Sequence, residues 1–354
     1  MILETTPPPP SDVPVAVKKN RQDSERIRKQ SPSLRRPPRW RCILCSFLLL
    51  FPLYAQEVSE PFPRVTESLL IDIDRAGKAW VAVGERGHVL RSEDSGNHWR
   101  QILVPTRELL TAVAFAPDGR HGTAVGHENT ILTTNDGGLT WTLHKVEGEF
   151  PVIFLDTLWL DASRVYAVGA YGEFWESGDA GKSWSQRWIS EEQLHFNALE
   201  KASDGTLFLA GESGTLLRST DQGESWDPID TPYYGSYHGL LVISDQILWV
   251  LGMRGHLYQS EDSGENWNDW SRDSKVFLSG AAEITPGRYV FVGQGGIIYT
   301  LEGDPLHFQK HLFPAFDKMS EVAATEDGAL IITGNRGVHR LEPTAVTPLF
   351  QPSK

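Results

Sequence analysis

A motif of the form Ser/Thr-x-Asp-x-Gly-x-x-Trp returns five times along the chain at a spacing of about forty-two residues, running Ser92 to Trp99, Thr134 to Trp141, Ser177 to Trp184, Ser219 to Trp226 and Ser260 to Trp267. A β-rich run ending in glycine precedes each copy, and that glycine continues past the fifth box: Gly84, Gly126, Gly169, Gly211, Gly252, Gly293 and Gly334. Seven units are therefore present, the last two without a recognisable box. A period below fifty residues built from short strands means a propeller or a solenoid, because no single unit can bury both of its faces.

The second unit is the easiest to divide. Leu110 to Ala116 alternates, Pro117-Asp118-Gly119 turns, Gly122 to Gly126 forms a second run, Thr130 to Thr134 a third, and Trp141 to Lys145 a fourth. Turn signals recur where the first hairpin belongs, as Arg75-Ala76-Gly77, Asp204-Gly205, Pro286-Gly287 and Asp327-Gly328, and they support the count independently of the boxes. Four short strands per unit describe a blade, so the expected fold is all-β: a seven-bladed β-propeller over 61–350, strand A innermost. Ring closure stays open between Val346 to Phe350 and Pro63 to Leu70 as the source of a fourth strand in the last blade.

The box reads as a structural device. A tight turn between the third and fourth strands strands its backbone amides, and a short carboxylate can accept them. Asp94, Asp136, Asp179, Asp221 and Asp262 supply it. The glycine two positions on tolerates a positive φ, and Trp99, Trp141, Trp184, Trp226 and Trp267 return to cover the apolar gap beside the blade.

Residues 1–41 differ in kind, with Pro7 to Pro10 followed by Lys18, Lys19, Arg21, Arg26, Arg28, Lys29, Arg35 and Arg36 in a stretch nearly devoid of aromatics, a composition that cannot bury a core. A twelve-residue apolar run, Cys42 to Leu53, then closes at Tyr54-Ala55-Gln56. A basic flank, a short apolar core in 42–55 and a small residue before a polar one predict a secretory signal cleaved after Ala55, with an uncleaved anchor as the competing reading. Both cysteines lie in that run, so the exported part would have none. Its net charge would be about -19, since the first fifty-five residues carry ten basic and four acidic side chains of a chain at -13, which makes nucleic acid a poor partner.

Gly211-Glu-Ser-Gly-Thr-Leu-Leu-Arg-Ser-Thr-Asp-Gln-Gly-Glu-Ser-Trp226 resembles the photosystem II stability/assembly factor family, and the resemblance covers the whole ring. It implies an exported, periplasmic or lumenal assembly chaperone with an arginine patch on one face, a membrane or extracytoplasmic protein complex as client, and no cofactor. A monomer is expected. Positions in this chain suggest where such a patch would sit. The boxes occupy C to D turns, so B to C turns and D to A crossovers share the opposite face. Three of those B to C turns read Gly-x-Arg-Gly and present Arg86, Arg254 and Arg336; one crossover adds Tyr233, Tyr234, Tyr237 and His238. Arginine and tyrosine are the residue types that carry interface energy. The bland alternative is that the arginines solvate their turns and Tyr237 packs beneath.

A glycosidase of sialidase-like or xyloglucanase-like type is the competing function, with Glu85, Glu128, Glu173 and Glu212 near the same face. Such chemistry needs two carboxyls roughly 5 to 9 Å apart across a cleft, and the short crossovers offer little to wall one. Histidines His88, His256 and His339 fall at repeat positions rather than converging, and Gly293-Gln-Gly-Gly296 is in register with its sister turns rather than a phosphate loop. No metal or cofactor is expected.

Overall fold

Where the sequence alternates and turns, the chain forms antiparallel ladders. In the second repeat, Leu110–Phe115, Gly122–Gly126, Thr130–Thr134 and Thr142–Lys145 pair in chain order as strands A to D of one blade. The structure, a computed structural model, describes residues 57–350 except 149, 273–275, 304–305 and 314–315; the basic leader and the apolar run with its cleavage site lie outside the described residues. Seven sheets follow one another, six of four strands and a last of three. The A strands (Leu70–Ala76, Leu110–Phe115, Phe154–Trp159, Phe196–Lys201, Tyr237–Val242, Leu278–Thr285 and Met319–Ala324) pack consecutively, and the seventh packs on the first, closing a seven-bladed propeller. The B strands are buried throughout in six of the seven blades, as between two neighbouring sheets.

Neither candidate adds a fourth strand to blade 7. Val65–Glu67 forms a 3-10 turn beside strand C, Gly337–Leu341, so close that a Cβ on Gly337 would meet the Thr66 carbonyl oxygen at 1.7 Å. The chain end instead coils as Pro343–Val346 and Thr347–Phe350. Its Val346, Leu349 and Phe350 are buried with Val290, Ile298, Leu330 and Ile332 in the gap between blades 6 and 7, and the Thr300 hydroxyl donates to the Leu349 carbonyl at 3.0 Å.

The boxes are closed hydrogen-bonded units. In blade 2 the Asp136 Oδ1 accepts the amides of Leu139 and Thr140 at 3.0 and 2.9 Å, Oδ2 accepts the Thr140 hydroxyl at 2.6 Å, and the Thr134 hydroxyl receives the Gly138 amide at 3.0 Å. Asp94, Asp179, Asp221 and Asp262 repeat the pattern. These bonds hold the Asp94, Asp179 and Asp221 carboxyls down to about 2. Each box reaches to the preceding blade: a Cβ on Gly96 would strike Ile331 of blade 7 at 2.7 Å, one on Gly138 would meet Val81 of blade 1 at 3.1 Å, and one on Gly223 would strike Tyr166 of blade 3 at 2.9 Å. Trp99, Trp141, Trp184 and Trp226 each donate from Nε1 to the carbonyl of their own box glycine, at 3.1 to 3.2 Å. Trp267 donates instead to the Asp230 carbonyl of blade 4, at 3.0 Å.

The axis of the ring is acidic. Asp72 and Asp74 of blade 1, Asp156 of blade 3, Glu200 of blade 4 and Glu321 of blade 7 stand on A strands. Several bridge to the next blade: Asp72 and Asp74 accept the amides of Val113 and Phe115 at 2.7 Å each, and Asp156 that of Leu199 at 2.7 Å. Burial, reinforced for Asp74 by Asp72, pushes Asp72 up to about 6 and Asp74 to about 7; burial with the charges of Asp74 and Asp72 pushes Glu200 to about 8. Asp156 and Glu321 are raised well above the usual carboxylate range by the same causes. Asp72 contributes to the rise of Asp156 on blade 3 and of Glu321 on blade 7, and Asp74 and Asp72 to that of Glu200 on blade 4.

Candidate partner-binding face

Every B to C turn is docked on the crossover that enters the same blade. The amide after the turn glycine donates to a crossover carbonyl in each: Glu85 to Leu69 at 3.1 Å, His127 to Leu109 at 3.0 Å, Ala170 to Ile153 at 2.9 Å, Glu212 to His195 at 2.9 Å, Met253 to Ser236 at 3.3 Å, Gln294 to Phe277 and Asn335 to Lys318 at 3.0 Å each. The glycine is required by that approach, since a Cβ on Gly84, Gly126 or Gly169 would fall 2.0 to 2.2 Å from the accepting oxygen. Turns and crossovers therefore share one face of the ring, and the boxes lie on the other.

Two residues after that glycine, the turn reaches its apex. Arg86, Tyr171, Ser213 and Arg254 hold φ of 56°, 59°, 57° and 58° there, and blade 2 places Glu128 and Asn129 at 53° and 62°. A left-handed backbone at a side-chain-bearing residue is uncommon and is held here by the flanking contacts. Arg86, Arg254 and Arg336 all project as exposed residues from their turns. The structure separates the aromatic crossover that the sequence groups with them. Tyr234 is 89 % exposed, whereas Tyr237 is fully buried and so is corrected from a surface contact to a core residue, because it begins strand A of blade 5. Tyr233 is half-buried, stacked on His256 at 4.1 Å, and His238 lies half-buried against Phe277 at 4.8 Å; burial lowers the His238 pKa.

Beside Arg86 lies a cavity of about 290 Å³, lined by Glu60, Pro61, Phe62, Arg86, His88 and Arg107. Its second cation is engaged, because Arg107 donates to Glu60 at 2.7 Å and to the Val58 carbonyl at 3.0 Å. Phe62 stacks on His88 at 5.6 Å. His88 is 2 % exposed, its Nδ1 has no partner among the described residues, and burial depresses its pKa. A neutral imidazole, an aromatic wall and one unengaged arginine make this a small amphipathic recess.

The acids weighed for hydrolysis are mostly committed to the framework. Glu85 accepts the Leu69 amide at 3.2 Å, Glu173 the Trp175 indole at 2.6 Å and the Gln186 amide at 2.9 Å, and Glu212 the His195 amide at 3.3 Å. Among the described residues no group of three or more His, Cys, Asp or Glu is placed to hold a metal.

Sequence reasoning missed Tyr171 and Trp188, which are 63 % and 57 % exposed. Tyr171 was within reach, because Gly169-Ala-Tyr-Gly172 is in register with the three Gly-x-Arg-Gly turns. Trp188 sits in the blade 3 to 4 crossover, where the other repeats carry no tryptophan in register, and no periodic signal marks it.

Fold and turn architecture together define a seven-bladed Asp-box β-propeller. The family model described as photosynthesis system II assembly factor YCF48 matches residues 90–152 and 144–339, and the chain belongs to that family. Photosystem II assembly protein Ycf48 of Synechococcus sp. (strain JA-2-3B'a(2-13)) is 26 % identical over 140 residues, 38 % of this chain and 41 % of the relative. The chloroplastic photosystem II stability/assembly factor of Arabidopsis thaliana is 24 % identical over 144 residues, 38 % of this chain and 36 % of the relative. The chain thus spans about two-fifths of the length of the curated relatives it matches. A solved structure of Ycf48 bound to D1 peptide superposes with a TM-score of 0.65 at 19 % identity, covering 81 % of this chain and 96 % of that one; at that identity the likeness shows the fold.

Proposed function

We propose that this chain is an exported, non-catalytic scaffold that holds a protein client on its B to C face while a membrane or extracytoplasmic complex is assembled or stabilised. The observation that carries the reading is the set of turn arginines: Arg86, Arg254 and Arg336 stand exposed on B to C turns, on a protein whose exported part is strongly acidic. A local cationic site on such a background steers an acidic or carboxylate-bearing segment and repels other contacts. Tyr234 and the recess beside Arg86 add apolar area to the same face. Membership of an assembly-factor family and the D1 peptide held by a solved Ycf48 support a client from a membrane complex. Relatives described as lipoproteins and as chloroplastic support export, and the mature chain is expected to begin at Gln56 as a monomer without a cofactor.

Capture from the native membrane fraction, followed by mass spectrometry, compares wild type with the R86E/R254E/R336E variant. Proteins retained by the first and lost from the second are the expected clients; identical captures reject this face. A glycoside panel tests the hydrolase alternative, under which Glu128→Gln abolishes a turnover that the scaffold reading does not provide at all.

A further inference from the structure

The B to C face has a second sector, on blades 3 and 4, with the opposite chemistry to the arginine turns. Its parts are contiguous. Tyr171 packs edge-on to His195 with ring centroids 4.9 Å apart. A Cβ on the neighbouring Gly172 would lie 3.4 Å from the Glu192 carbonyl oxygen and 3.8 Å from the Trp188 ring, and one on Gly214 would lie 3.2 Å from the Tyr234 Cα. The Gly214 amide also donates to the Gly235 carbonyl at 2.8 Å. Three large aromatic side chains, Tyr171, Trp188 and Tyr234, are thus exposed along one strip at 63 %, 57 % and 89 %.

No lysine or arginine occurs in the turns 170–173 and 212–215 or in the crossover 188–195. Glu191 and Glu192, by contrast, are exposed and in no ion pair among the described residues. The preceding cation, Arg187, is turned away: it lies over the Phe174 ring at 5.0 Å and bonds the Gly223 carbonyl of the blade 4 box. Exposed indole and phenol faces with unpaired carboxylates between them match a segment that brings cations and an apolar side chain together, through cation–π contact and charge attraction.

We infer that the sector formed by Tyr171, Trp188, Tyr234, Glu191 and Glu192 is a second binding site, for a cationic peptide segment in which Lys or Arg flanks an apolar or aromatic residue. Its Tyr234 crossover also docks the blade 5 turn that carries Arg254, through the Met253 amide and the Ser236 carbonyl, and the site is tested without any client. The probe is a fluorescein-labelled ten-residue peptide of Lys, Arg, Leu and Tyr, set against the same peptide with glutamate in place of every cation, each titrated by anisotropy into the full chain. The cationic peptide binds and the anionic one does not; raising salt from about 50 to about 200 mM weakens the complex. E191K/E192K and Trp188→Ala each lower affinity about tenfold or more, with unchanged thermal midpoints, while R86E/R254E/R336E does not lower it. Absence of binding by the cationic peptide, equal binding of both peptides, wild-type affinity in either sector variant, or loss in the arginine variant overturns the assignment.

Discussion

Blades 1 to 5 and blades 6 to 7 solve the same packing problem by different means. In the first group a polar turn, bonded within itself, carries a tryptophan into the gap next to the preceding blade. In the second group no such turn is found among the described residues. The gap between blades 5 and 6 is covered by Trp270 and Phe308, with Arg272 over the Phe308 ring at 4.2 Å. The gap between blades 6 and 7 is filled by the chain end, with Arg288 over Phe350 at 4.9 Å. A box is local, so its loss is confined to one gap. The apolar plug of 343–350 instead ties the last interface of the ring to a segment outside any blade's ladder.

The largest effect should therefore come from the plug. Phe350, 3 % exposed in the last gap, should cost about 3–5 kcal/mol when replaced by alanine, measured by urea unfolding. If Phe350→Ala costs no more than a box substitution, the chain end is decoration and the contrast between the two groups fails.

Within the first group, acidity probes the axial carboxyls and the boxes at once, with opposite signs. Asp72, Asp74 and Glu200 have folded-state values near 6, 7 and 8, above the ordinary carboxylate value near 4, so between those limits the folded state binds more protons than the unfolded one. Stability should then rise as pH falls from about 8 to about 5. Asp94 and Asp179 are held near 2 and favour the fold above the ordinary value; their contribution is lost as pH falls from about 4 toward 2. Thermal scans across that range should show a maximum on the acid side of neutrality. A midpoint that climbs from pH 5 to pH 8 would contradict the raised values at the axis.

Asp136→Ala should cost about 1–2 kcal/mol, since it leaves the amides of Leu139 and Thr140 without their acceptor in a turn that water partly reaches. The matching change at Asp221 should destabilise in the same direction. If both removed binding without moving the unfolding midpoint, the box would have to be read as a functional site. The smallest effect belongs to R86E/R254E/R336E, whose side chains touch neither kind of gap: about 0.5 kcal/mol or less per site is expected in unfolding experiments.

The ring was legible in the sequence because its period is carried by residues with strong backbone demands, the box aspartate and the turn glycines. Closure was less legible: both candidate segments are apolar enough for a strand, and only Pro343 hints that the chain end coils. At the candidate face the apex arginines could be found by register, but exposure could not. Tyr233, Tyr234 and Tyr237 look alike in a list of letters, and their fates diverge because one stacks on a turn histidine, one stands free and one starts an inner strand. The axial acids are themselves in register along the sequence. At the third position of the A strands the repeats read Asp72, Ala112, Asp156, Ala198, Gly239, Gly280 and Glu321, three acids among residues small enough to make room for them; a Cβ on Gly280 would sit 2.5 Å from the Glu321 Oε1.

The turn apex has an evolutionary consequence. Because its backbone is fixed by a glycine and a crossover carbonyl, and its side chain meets no core, the residue mounted there can change without a folding cost that selection would notice. Arginine, glutamate, tyrosine and serine already occupy it in different blades of one chain. The ring thus acts as a display with interchangeable positions, on which a lineage could rewrite its choice of client one letter at a time while the scaffold beneath stays the same.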